Sequence, residues 1–177
     1  MANNADLFLG SEEDYSLELQ TLENPEGELH LRFFLPSGKE LALPATGIAE
    51  VLQQTSEEIA PVPNASPLLL GTINLRGKII WVADLGQFLG DSGNLNTDRP
   101  TIPVIAIEDG EQVLGLAIEK IGDMDWLDVD QLKAVSQLAD TIAPFVLGQW
   151  QWQREETEVL HLLDSSRILR SARWTGR

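Results

Sequence analysis

A set of short β-like runs occurs twice along this chain, and that repetition narrows the possible folds more than any other feature. Ile48-Ala49-Glu50-Val51 has a counterpart in Ile121-Gly122-Asp123-Met124. Leu70-Gly71 recurs as Leu147-Gly148, and Asp84-Leu85 with Phe88-Leu89 recurs as Leu163-Asp164 with Ile168-Leu169. Short apolar matches arise easily by chance, but here the order is kept and the spacing drifts only as loop insertions would make it drift. The expectation is an internal duplication. Two units of about 70 residues with five short strands each are too small for sandwiches and fit small β-barrels.

The runs themselves follow from alternation. Leu29, Leu31, Phe33 and Leu35 alternate with His30, Arg32 and Phe34, the period of a strand. Pro36-Ser37-Gly38 turns the chain into a second run, Lys39 to Ala45, and Ile48 to Leu52 makes a third. Residues 57–67 hold Pro61, Pro63 and Pro67 and read as loop, because proline has no N–H to give to a helix or a ladder. Two runs, Thr72 to Leu75 and Ile79 to Val82, flank Arg76-Gly77-Lys78, and Asp84 caps a one-turn helix. Residues 90–100 (GDSGNLNTDRP) resemble a linker. Beyond them lie strands at 101–107 and 112–118 around Asp109-Gly110, at 121–126, 145–153 and 158–163, then a closing helix capped by Asp164. The expected division is a tail over 1–27, a first lobe over 28–98 and a second over 99–177 with the C-terminal helix. Exchange of elements between the lobes stays open, in which case 28–170 is one domain.

Charge is uneven. Twenty-eight Asp and Glu against twelve Lys and Arg give a net charge of −16, which argues against nucleic acid and anionic membrane as partners. Asp6, Glu12, Glu13, Asp14, Glu18, Glu23, Glu26 and Glu28 all precede the first Lys or Arg, so the N-terminal stretch reads as a solvated, disordered tail. Within it, Tyr15, Leu17 and Leu19 have the spacing of a short edge element. Arg167, Arg170, Arg173 and Arg177 crowd the other end, where they complement the C-terminus of a last helix. The chain has no cysteine, which removes disulfide and thiol chemistry and fits the cytoplasm. No apolar run approaches the roughly 18 residues of a membrane span, and the N-terminus lacks a secretory pattern, so no direct membrane insertion is expected.

Residues for catalysis are scarce. The two histidines, His30 and His161, sit inside strand patterns, and the zinc-protease, hydrolase and dinucleotide motifs do not occur. Gly71 ahead of Gly77-Lys78 hints at a phosphate loop, but the glycines are one residue too far apart, and Ile79 stands where a magnesium-binding Ser or Thr belongs. Glu57-Glu58, Asp123/Asp125 and Asp128/Asp130 lack the ordered oxygen set of a metal site. The chain is therefore expected not to be an enzyme, with no catalytic residue, cofactor or metal assigned.

Two features point to binding instead. The turn at Arg76-Gly77 lifts a planar, permanently charged guanidinium to the tip of an apolar hairpin whose Leu75 and Ile79 are expected in the barrel core. Glu50, a carboxylate in an apolar run, is its natural neighbour if the third and fourth strands lie together. Taken locally, Arg76 reads equally well as a solvated turn charge. Trp150 and Trp152, two apart and on one strand face, read as core packing or, more sharply, as an interface anchor.

NLRG followed by IIWVADL, preceded by P-x-P, L-x-G-T-I and an I-x-E-V strand, resembles the CheW family of bacterial chemotaxis coupling proteins over residues 29–169. Glu50, Gly71, Asn74, Leu75, Arg76, Gly77, Asp84 and Leu85 fall where the family pattern wants them. The resemblance implies a mainly β fold of two tandem SH3-like five-stranded barrel lobes sharing a core, with short helices. It also implies a cytoplasmic, non-catalytic adaptor joining the tips of methyl-accepting chemoreceptors to the regulatory domain of a CheA-type histidine kinase, in chemotaxis, phototaxis or pilus-driven motility. Receptor or kinase contact is implied for Ile48, Glu50, Leu75 and Arg76, with Gly71, Gly77 and Gly148 as structural support. Leu147, Trp150 and Trp152 are candidates for a second-lobe interface. Ile118-Glu119 and the run Gln149-Trp150-Gln151-Trp152 depart from the family pattern. The alternative function is a ligand- or peptide-binding sensor on the same fold without receptor or kinase coupling.

Overall fold

The computed structural model describes residues 27–153 and 155–175, so the acidic segment assigned to a tail lies, Gly27 apart, outside the described residues. Among the described residues there are ten strands: β1 (Glu28–Phe34), β2 (Glu40–Pro44), β3 (Ile48–Gln54), β4 (Leu69–Leu75), β5 (Lys78–Asp84), β6 (Ile102–Asp109), β7 (Gln112–Ala117), β8 (Lys120–Leu127), β9 (Val146–Gln153) and β10 (Thr157–Leu163). Two one-turn helices, α1 (Leu85–Leu89) and α2 (Ser165–Leu169), follow β5 and β10. Their caps come from the sequence: Asp84 accepts the Gln87 N–H and Asp164 accepts the Arg167 N–H, each at 3.1 Å.

The strands form two five-stranded sheets, ordered β8-β1-β2-β10-β9 and β3-β6-β7-β5-β4. The first closes barrel A and the second barrel B. Each sheet takes a hairpin from one repeat and three strands from the other, so the division at 98/99 does not separate the sheets. Connection length explains the exchange. Only Ala45–Gly47 links β2 to β3, and only Ile118 and Glu119 link β7 to β8. Links this short carry the chain across to the other sheet instead of back around its own hairpin. The hairpins then meet their distant neighbours in parallel, β2 with β10 (His161↔Leu41) and β5 with β7 (Val82↔Gly115).

Alternation divides the apolar side chains into three layers. Leu31, Phe33, Leu41 and Leu43 from one sheet pack with Ile105, Ile107 and Leu116 from the other and Leu85 of α1, forming a core that both barrels share. Ile73, Ile80, Val82, Ile102 and Val104 fill barrel B, while Trp150, Leu160, Leu162 and Leu127 fill barrel A. The duplication extends to loop detail. Behind β3, Ala60 forms an isolated antiparallel bridge with Thr72 of β4; behind β8, Lys133 pairs in the same way with Gln149 of β9. A glycine sits at each crossing. A Cβ on Gly71 (φ +153°) would fall 2.3 Å from the Ala60 carbonyl oxygen, and one on Gly148 would fall 2.6 Å from Leu132 Cγ.

Candidate functional site

The β4–β5 connection has two residues, Arg76 and Gly77, with φ of +52° and +84°. Both are left-handed, as in the type I′ turn whose twist matches a hairpin. Asn74 fixes the turn, its Oδ1 accepting the Gly77 N–H at 2.8 Å. Glycine adopts this conformation freely, whereas an arginine there carries a cost of roughly 1 kcal/mol. The turn holds Arg76 fully out of the barrel, with its side chain 79% exposed.

Opposite it stands Glu50. Strands β3 and β4 are the two edges of their sheet, so the Arg76 Nε–Glu50 Oε2 approach of 3.3 Å spans the open seam of barrel B. That oxygen is buried and accepts no hydrogen bond, so the contact is an ion pair without hydrogen-bond alignment. Around the pair, Ile48 is half-buried against the shared core and Leu75 half-buried against the core of barrel B. Ile48, Glu50, Leu75 and Arg76 thus lie on two strands joined across one seam. Gly77 supplies conformation alone, since a Cβ there would meet nothing within 4 Å. Gly71 and Gly148 are packing positions away from this turn.

Two expectations need correction. Ile79 is not in the core: it is 65% exposed, as Trp81 is at 39%, while Ile80 and Val82 point inward. With four apolar residues in a row, the two-residue period decides which pair is buried, and here it is the even-numbered one. Trp150 takes the core-packing reading, and its place as a candidate interface anchor is withdrawn. It is 3% exposed, donates its indole N–H to the Asp128 carbonyl at 2.8 Å, and meets the buried His30 edge-on at 5.2 Å. Trp152 is half-buried and Leu147 exposed, so only these two retain access to a partner. His161 is half-buried on β10, on the face opposite Leu160 and Leu162, and burial and then Lys39 lower its pKa.

A second charged group went unread in the sequence. Arg32 on β1 donates to Glu40 on β2 at 2.5 Å and to Asp125 on β8 at 2.9 Å, and its guanidinium lies 5.6 Å from the ring centre of Trp152 on β9. Burial pulls its pKa down, but the two carboxylates more than offset that, leaving it raised. In sequence, Arg32 was one polar tooth of an alternating strand, and nothing local links it to a carboxylate 93 residues away.

Two barrels sharing a core, with a charged pair set across the seam of one of them, define a double-barrel interaction domain. Residues 31–173 match the CheW-like domain, and the chain belongs to that family. It is 24% identical over 136 residues to the chemotaxis protein CheW of Bacillus subtilis, covering 77% of this chain and 83% of the relative. It is 26% identical over 87 residues to the CheW of Klebsiella aerogenes, covering 49% and 51%. The crystal structure of the scaffolding protein TtCheW from Thermoanaerobacter tengcongensis aligns with a TM-score of 0.68 at 20% identity, covering 85% of this chain and 96% of that one. No helix among the described residues is long and apolar enough to cross a membrane.

Proposed function

We propose that this chain is a non-catalytic adaptor that couples the cytoplasmic tip of methyl-accepting chemoreceptors to the regulatory domain of a CheA-type histidine kinase, in chemotaxis, phototaxis or pilus-driven motility. It works in the cytoplasm and is recruited to membrane-associated receptor arrays. Family membership supports the scaffold class. The observation that carries the reading is the Arg76–Glu50 pair. A guanidinium in a left-handed turn, beside a buried carboxylate oxygen with no hydrogen bond, is poorly arranged for stability and well arranged to receive a partner.

On docking, a partner displaces little structure. The guanidinium fork takes up a carboxylate or main-chain oxygens, Glu50 accepts a donor, and Ile48 and Leu75 supply the apolar floor. A double-mutant cycle tests this. Arg76→Ala leaves chemical denaturation within about 1 kcal/mol of the parent and weakens binding to the receptor tip or the kinase regulatory domain by roughly 1–4 kcal/mol. Glu50→Ala acts in the same direction, and the two combine less than additively. Unchanged affinity for both partners in a folded Arg76→Ala protein would return Arg76 to a solvated turn charge.

A further inference from the structure

We propose that the chain's own residues 6–14 dock in the groove beside the β4–β5 hairpin and cover the Arg76 face until a partner displaces them. The docking stands on the groove itself; its regulatory consequence rests on the adaptor reading. The groove encloses about 750 Å³ between Val62 of the proline-rich loop, Ile79 and Trp81 on the outer side of β5, and Leu169 and Trp174 near the C-terminus. Ile79, Val62 and Trp81 are its exposed apolar walls. A contiguous apolar hollow of this kind on a chain carrying −16 marks a contact surface.

The occupant follows from the sequence outside the described residues. Asp6-Leu7-Phe8-Leu9-Gly10-Ser11-Glu12-Glu13-Asp14 joins three consecutive large apolar residues to a carboxylate cluster through a Gly-Ser joint. The groove presents apolar walls with Lys78 and Glu111 on its rim, and Arg76, ion-paired with Glu50, lies two residues from Lys78 at the hairpin tip. Lys78 Nζ donates to the main-chain oxygen of Glu111 at 3.0 Å, so that contact leaves its charge unneutralised. Arg167 and Arg170 are ion-paired with Asp164 and Asp109, whereas Lys78 makes no ion pair among the described residues. Reach is ample. From Gly27 back to Leu9 the chain spans up to about 60 Å at roughly 3.3 Å per residue, against a diameter of roughly 40 Å for a compact domain of this size. Tethering raises the local concentration of the segment into the millimolar range, so a weak contact suffices.

The chain contains no cysteine, so Ser11→Cys gives one unambiguous spin-label position. The expected result is selective loss of the amide signals of Ala65, Lys78 and Gln112, restored when Leu7→Ser, Phe8→Ser and Leu9→Ser are introduced together. Loss spread evenly over the surface, or centred on Arg167 and Arg170, overturns the proposal. So does loss that appears only when a spin-labelled copy is mixed with a separate isotope-labelled one, which assigns the groove to a second copy. The triple substitution is also expected to tighten receptor-tip binding about two- to tenfold by freeing the competent state. Unchanged affinity overturns the regulatory consequence. Because the relaxation measurement contains no partner, it can succeed or fail independently of the adaptor reading.

Discussion

Arg32 and Arg76 each tie together the edge strands of one barrel, under opposite conditions. Arg32 is 19% exposed, holds one carboxylate on each side and lies against an indole ring. Arg76 is 79% exposed, meets one carboxylate at 3.3 Å, and occupies backbone conformation that arginine disfavours. An exposed ion pair contributes roughly 0–1 kcal/mol, because water and salt screen it and two long side chains must be held still. A half-buried cluster cannot lose its cation without leaving two carboxylates, Glu40 at 25% and Asp125 at 40% exposed, facing each other with reduced solvation. Barrel A is thus locked, whereas barrel B keeps a charge at its seam that it does not need for folding.

Replacing Arg32 by alanine tests the lock most severely. Loss of one member of a buried pair costs about 3–5 kcal/mol, and the partial exposure of Asp125 reduces this to about 2–3 kcal/mol, read as a fall in denaturation midpoint. A change as small as that of Arg76→Ala would erase the contrast between the barrels. Trp152→Ala removes the ring against Arg32 and part of the barrel A core; a loss of about 1–2 kcal/mol is expected. Arg76→Asn should run the other way. Asparagine tolerates the left-handed turn, so thermal unfolding should show unchanged or higher stability, by at most about 1 kcal/mol. Partner binding should fall in the same protein.

The smallest effect separates the two helix caps. Burial raises the Asp84 pKa and the charge of Asp91 adds to it, with the Gln87 and Gly86 N–H groups working against them. A carboxyl raised in the folded state is favoured while protonated. Its contribution therefore declines as pH climbs from about 4, the unfolded value, through the raised folded value. Asp84→Asn keeps a capping oxygen and removes the buried charge. It should exceed the parent by less than about 1 kcal/mol at neutral pH and match it near pH 3. At Asp164 the same substitution removes the ion pair with Arg167 and should give no such gain.

The strands and both capped helices were legible because alternation, proline and turn residues act over a few positions. Leu31 and Phe33 announce a buried face, Pro61 to Pro67 announce a loop, and Arg76-Gly77 announce a turn. What failed to show was whatever depends on a distant partner. Ile79 and Ile80 are the same residue type, and only closure of β5 over the barrel B core decides which is buried. Arg32 looked like any solvated strand charge until β8 brought Asp125 to it. Trp150 and Trp152 share a face as expected, but their depths differ because the hairpin β9–β10 extends past the barrel core. Glu50 and Arg76 were paired correctly in sequence because their strands face each other across one seam.

The traded hairpins also say how such a chain can arise. A half-length ancestor, one hairpin followed by three strands, has the parts for a five-stranded barrel, but its short link between β2 and β3 prevents it from using its own hairpin. Two copies solve the problem by each lending a hairpin to the other, which is a domain-swapped dimer. Fusing the two genes end to end then yields this architecture directly, with residues 90–100 as the joint. Severed there, the halves should be able to find each other again as two separate chains, while neither would hold a barrel alone.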